Sequence, residues 1–213
     1  MILEILRLTH NVTTLLFGVY ISAAFLGVVM KRHNILQLLG FSCVVGLIYL
    51  FTYLYLGEVM TREVYPIIVH LPLILFLVFY YKYRPLAAAI SVLTAYLCCQ
   101  ISNWVGIVFL TLTHEQWCYY AIRIVVTVVV FLFLLLRVSD ATARLLEKST
   151  ESLAILGIIP FVYYIFDYAT NVYTSLLYSG SKVVVEFLGF ILCTTYLLFL
   201  FLYFKQYEEQ QET

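Results

Sequence analysis

Charge is what this chain has least of. Only 11% of its 213 residues are Asp, Glu, Lys or Arg, against roughly 25% in soluble domains, so it lacks the polar surface to dissolve alone. No internal repeat and no low-complexity linker is visible. The five cysteines, Cys43, Cys98, Cys99, Cys118 and Cys193, include no CxxC pair, and four lie inside apolar runs, where they read as small packing residues. The four histidines, His10, His33, His70 and His114, lie in different parts of the chain. No metal site is expected from that spacing, nor any other cofactor. HExxH, GxSxG and paired glutamates are missing from the apolar runs, so an intramembrane protease would lack its ligands and nucleophile. No lysine sits deep in a helix, which removes a retinal-type pigment, and no enzyme activity is expected of this chain. A formal net charge of zero carries no argument for nucleic acid, and no such partner is expected.

What the chain has is apolar length. Hydrophobic residues make up 64% and the mean hydropathy is +1.00, which marks an integral membrane protein. Seven segments stand out: His10–Met30, Ile35–Leu56, Val64–Tyr81, Leu86–Leu112, Cys118–Leu136, Ser152–Tyr173 and Val183–Phe204. Each is long enough, at about 1.5 Å per residue, to cross a hydrocarbon layer about 30 Å thick. Continuous rather than alternating apolar runs are helices, since lipid offers the backbone no partner. The expected fold is all-α, a polytopic membrane helix bundle with seven transmembrane helices, placed in the cell membrane as a multi-pass protein. The N-terminus has no short apolar run ending in an A-x-A site and reads as the lead-in to a retained helix.

Orientation follows from basic residues. An outside N-terminus and cytoplasmic C-terminus put Lys31, Arg32, Lys82, Arg84, Arg137, Arg144, Lys148 and Lys205 inside and leave Arg7, Arg62 and Lys182 outside. Pro66 and Pro85 fall at or near helix starts. Pro72 and Pro160 fall inside spans, where they free the carbonyls of Ile68 and Leu156 and bend their helices, as packing kinks or as hinges. Residues Arg137–Glu151 read either as a short helix along the inner membrane surface or as a solvated loop.

The strongly polar residues inside the spans gather in the outer half. Asp167 comes 15 residues into an outward-running helix, about 22 Å along it, with Asn171 one turn further on the same face. Gln100 and Asn103 reach similar depth on the fourth span. His70, Arg123 and Glu186 come early in inward-running spans. A carboxylate at membrane depth costs about 2.5 kcal/mol or more, so it has a partner or a task. Two compatible readings follow. Arg123 pairs with Asp167 or Glu186 to fix helix packing, with Asn and Gln as interhelical glue. Alternatively, an outward-open cavity lined by Tyr163, Tyr164, Tyr168, Asp167, Asn171 and Arg123 takes a peptide or small amphipathic molecule. The candidate ligand-binding set is therefore Asp167, Asn171, Arg123, Glu186, Tyr164, Tyr168, His70, Gln100 and Asn103.

The run YYIFDYATNVYTSLLYSG…VVVEFLGF…YFKQYEEQQE over residues 163–210, with RLLEKS…ILGIIPFVYY upstream, resembles the last membrane helices of bacterial GHKL-type sensor histidine kinases. These are related in layout to accessory-gene-regulator peptide receptors. The resemblance implies residues 1–205 as a transmembrane sensor domain and 206–213 as the start of a cytoplasmic signalling helix. It also implies an extracellular peptide or small-molecule ligand and a homodimer formed through the C-terminal helix. The phospho-accepting histidine helix and the ATP-binding domain of the family are missing from this chain. The alternative is a substrate-capturing membrane subunit of a small-solute transporter.

Overall fold

The computed structural model describes the backbone of residues 2–172 and 182–211; the side chains at 151, 170, 171, 182–187, 202 and 204–211 lie outside the description. Among the described residues the structure is helical, with no strand. The helices are α1 (Ile2–Phe25), α2 (Arg32–Tyr65), α3 (Leu71–Phe79), α4 (Pro85–Thr113), α5 (Gln116–Phe133), α6 (Ser139–Leu146), α7 (Thr150–Asn171) and α8 (Lys182–Gln211). π-turns at Pro66–His70 and Leu134–Val138 join α2 to α3 and α5 to α6. Among the described residues, five helical runs are long and apolar enough to cross a membrane: Ile2–Phe25, Arg32–Phe79, Pro85–Thr113, Gln116–Leu146 and Ser152–Ala169. A shorter apolar stretch, Leu188–Phe201, lies in α8. The molecule is a helical bundle suited to a bilayer.

The 48-residue run Arg32–Phe79 is too long for one straight crossing, and it folds back. Gly57 leaves helical geometry at φ 76°, ψ 177°, a region open to glycine and costly for other residues. Either side of it the arms pack antiparallel. Phe41 stacks on Phe76 at 4.5 Å and Tyr49 meets Tyr65 edge-on at 5.8 Å, while Gln37 reaches the Tyr80 hydroxyl. The spans read from the sequence end at Leu56 and resume at Val64, leaving 57–63 as their connection; instead the second arm is helical from the turn, and Thr61 donates to the Gly57 carbonyl at 2.6 Å. Pro66 therefore lies within a helix rather than at its start. The π-turn after it precedes Pro72, whose ring would crowd the Ile68 carbonyl in a regular α-helix. Widening to an i→i+5 bond, Leu71 N–H to Pro66 O, relieves that crowding.

At the centre stands α4. Of its most apolar stretch 61% is buried, against 17% for Arg32–Phe79, and it packs on α1, α3, α5, α7 and α8. Its N-terminal half carries Ala87, Ala88, Ser91 and Ala95, small residues that let neighbours approach where no hydrophobic force draws helices together in lipid. Ser91 donates to the Ser22 carbonyl of α1 at 2.7 Å. On the α7 side, Gly157 sits against Ile90: a Cβ there would lie 2.7 Å from Ile90 Cγ1. Cys98 and the α8 residue Cys193 are both fully buried.

Pro160 lies inside α7 and leaves the Leu156 carbonyl without its helical donor. The Tyr196 hydroxyl of α8 supplies one at 3.0 Å, so the break in one helix is closed by the next. The stretch 137–151 contains α6, but it is not a detached surface helix. It continues α5 through the π-turn, and Ser139, Thr142, Leu145 and Leu146 are buried against the ends of α1 and α8. Ser149 caps α7, accepting from the Ser152 N–H at 3.3 Å. Basic side chains tie this end together. Arg84 donates to Lys148 O at 2.8 Å and to Thr150, and Lys148 reaches the Tyr203 hydroxyl at 3.2 Å. Arg7 and Glu58 meet at 3.6 Å at the opposite end of the bundle.

Candidate functional site

The polar residues that converge do so around aromatic rings. The π-turn carries His70, α4 carries Tyr96, and α7 carries Tyr164, Asp167 and Tyr168. His70 Nδ1 and the Tyr164 hydroxyl are 2.8 Å apart, so Tyr164 donates in the tautomer whose proton is on Nε2. The Tyr96 hydroxyl donates to Asp167 Oδ2. These two pairs share walls: Tyr96 meets Tyr164 edge-on at 5.0 Å and His70 edge-on at 5.3 Å, and the tilted rings of Tyr164 and Tyr168 lie 4.7 Å apart. Asp167 and Tyr168 are each only 7% exposed. In this structure the rings pack directly on one another, so a ligand reaches the carboxylate only if they part.

Tyr65 completes the wall, 5.0 Å from the His70 ring. Residues five apart point about 140° away from each other in an α-helix; the wider π-turn brings Tyr65 and His70 toward one side. The spacing of Tyr65 gave no hint of this, because the π-turn is not legible as a pattern. Tyr96, also outside the expected set, did carry a signal. It lies four residues before Gln100 and seven before Asn103, on the same face of α4 as both.

The other candidates fall elsewhere. Asn103 donates to Gln100 Oε1 at 3.4 Å within α4, and nearby Trp104 stacks on Phe190 of α8 at 4.6 Å. Tyr163 turns toward α8 and abuts Gly189, where a Cβ would lie 2.6 Å from its hydroxyl. Arg123 is not joined to Asp167. Its Nη1 donates to Tyr119 of the same helix at 2.5 Å, and the guanidinium lies 4.9 Å from that ring. The side chains of Asn171 and Glu186 lie outside the described residues.

At the basic end a cavity of about 150 Å³ is lined by Leu26, Tyr83, Arg84, Ala87, Ala143, Leu146 and Glu147. Burial, with Glu147 adding to it, pushes the Tyr83 phenol above its ordinary pKa. Among the described residues no group of three or more His, Cys, Asp or Glu side chains is placed to hold a metal.

Chemically, the tyrosine–histidine–aspartate cluster is a set of mutually satisfied polar groups in an apolar setting. Each bond there is strong, and each is costly to break without a replacement. A group that replaced Tyr96 on Asp167, or Tyr164 on His70, would release one helix from another. Comparison with protein-family models, with curated proteins and with solved structures found no match.

Proposed function

We propose that this chain is the membrane sensor domain of a two-component-type histidine kinase, detecting an extracellular peptide or small amphiphile. Seven helices cross the membrane, with the arms of the Gly57 hairpin as the second and third and the N-terminus outside. The gathering of Arg84, Lys148 and α6 at one end supports that orientation. A homodimer through α8 and a downstream kinase are the expected partners. The observation that carries the reading is the linkage between the cluster and α8. Ligand groups that exchange for Tyr96 or Tyr164 loosen α7 from α3 and α4, and α7 is tied to α8 through Leu156 O and Tyr196. From Tyr203, level with Lys148, α8 runs on to Gln211 as unbroken helix, about 12 Å further. A ligand shifts the balance only through its differential affinity for the two arrangements.

The test does not require the ligand. Nitroxide labels at Lys82 and Gln210, in the full chain in lipid nanodiscs, report where the end of α8 stands. Asp167→Ala should displace their distance distribution, and Tyr55→Phe, at a residue 77% exposed, should not. A folded Asp167→Ala protein with an unchanged distribution would remove the cluster from any signalling path.

A further inference from the structure

Apart from the cluster sits a cation with no carboxylate partner among the described residues. Arg123 lies within an apolar helix, half-buried between α5 and α4, with its stem laid over Gly106, where a Cβ would collide with Arg123 Cγ. Among the described residues no carboxylate comes within 4 Å of its guanidinium. Nη1 is committed to Tyr119. Nε is buried with no hydrogen-bond partner, and no acceptor among the described residues takes Nη2. Together, Nε–H and Nη2–H form the side-on edge of the guanidinium, the edge that matches two oxygens of one carboxylate or phosphate.

A second observation lies one turn along the same face. Thr127 is 3% exposed, and its hydroxyl is buried without a partner. Other hydroxyls in this chain return to the carbonyl four residues back: Thr111 to Ile107 at 2.9 Å, Thr113 to Phe109 at 2.7 Å, Thr142 to Val138 at 3.0 Å. Thr127 does not do this to Arg123. Among the described residues, then, a buried hydroxyl and a buried guanidinium N–H one turn apart on α5 both lack acceptors, and both costs fall if one anion is shared between them.

We propose that Arg123 and Thr127 form a binding site for the anionic head of a ligand, a carboxylate or a phosphate. Gly106 of α4 gives the Arg123 stem room to lie in the seam, and the apolar α4–α5 setting strengthens the pairing. The site stands independently of the sensor reading, since neither residue belongs to the tyrosine–histidine cluster.

The test is the thermal unfolding midpoint of the full chain. In neutral detergent it is measured with sodium acetate or inorganic phosphate against chloride at matched ionic strength. A parallel series uses nanodiscs of phosphatidylglycerol against phosphatidylcholine. An oxyanion should raise the midpoint by a few degrees, the size expected of a ligand well above its Kd. Arg123→Gln should abolish that rise. If Arg123→Gln does not fold, Thr127→Val, which keeps the charge and the shape, should at least halve it. A rise in the detergent series marks a soluble anion, and a rise with phosphatidylglycerol alone marks a lipid headgroup; either upholds the site. No oxyanion-dependent rise in either series overturns it, as does an equal rise in the Thr127→Val protein. Neither result touches the Asp167→Ala distance measurement, so the two readings fail separately.

Discussion

Tyr196→Phe is a small change with a calculable effect. Its hydroxyl donates to Leu156 O at 3.0 Å, and both residues are buried, at 2% and 5% exposure. Removing the donor leaves a carbonyl that α7 itself cannot satisfy, because Pro160 has no N–H. A buried unsatisfied group costs about 1–3 kcal/mol in soluble proteins, whereas interhelical bonds in membrane proteins average about 0.6 and reach about 1.7 kcal/mol. The membrane average is low because freed groups find other partners. Here the nearest backbone donor is missing, so about 1 kcal/mol is expected, roughly a fivefold change in the unfolding equilibrium. Pro160→Ala restores an N–H at the right place and should make Tyr196→Phe nearly neutral. Reversible unfolding in mixed micelles with rising dodecyl sulfate, followed by tryptophan fluorescence for the four proteins of the cycle, measures the coupling. If Tyr196→Phe costs the same with and without the Pro160→Ala substitution, the argument that the α8 tyrosine repairs the α7 break is refuted.

Two further outcomes follow from the packing. Gly157→Ala drives a methyl to within 2.7 Å of Ile90 Cγ1 and should cost about 1–3 kcal/mol by the same titration; adding Ile90→Ala should recover at least half, and no recovery would mean that the two helices do not meet there. In the folded protein Cys43, which is exposed, should react with a water-soluble or lipid-soluble maleimide while Cys98 and Cys193, both 0% exposed, stay protected until the bundle is denatured. Prompt alkylation of Cys193 would place α8 away from α4.

The helices were legible because lipid narrows the choices: an apolar run of this length has to satisfy its backbone internally. Residues whose effect depends on a single neighbour were legible as well, and Pro160 implied an orphaned carbonyl at Leu156 before the donor was known. Local chemistry at helix ends was harder to read. Residues 57–63 fell between two apolar spans as their connection, but one glycine makes the turn and Glu58, Arg62 and Glu63 decorate a helix. The stretch 137–151 looked detached because its composition changes, whereas its buried Leu145 and Leu146 hold it to the bundle. In the candidate site, polarity singled out His70, Asp167, Tyr164 and Tyr168. Rotational phase decided their partners. The π-turn that aligns Tyr65 with His70 and the face that brings Tyr96 to Asp167 are three-dimensional facts, and the same holds for Arg123, whose hydrogen bond goes to its own helix.

The turn at Gly57 has a consequence for how the chain enters a membrane. With one residue between the arms there is no slack to let them part, so the two can only move as a single wedge, back to back, with the charges of Glu58, Arg62 and Glu63 held beside the turn. A side chain at that corner would therefore be felt during synthesis, as hairpins left stranded at the surface, more than in the stability of molecules that had already matured.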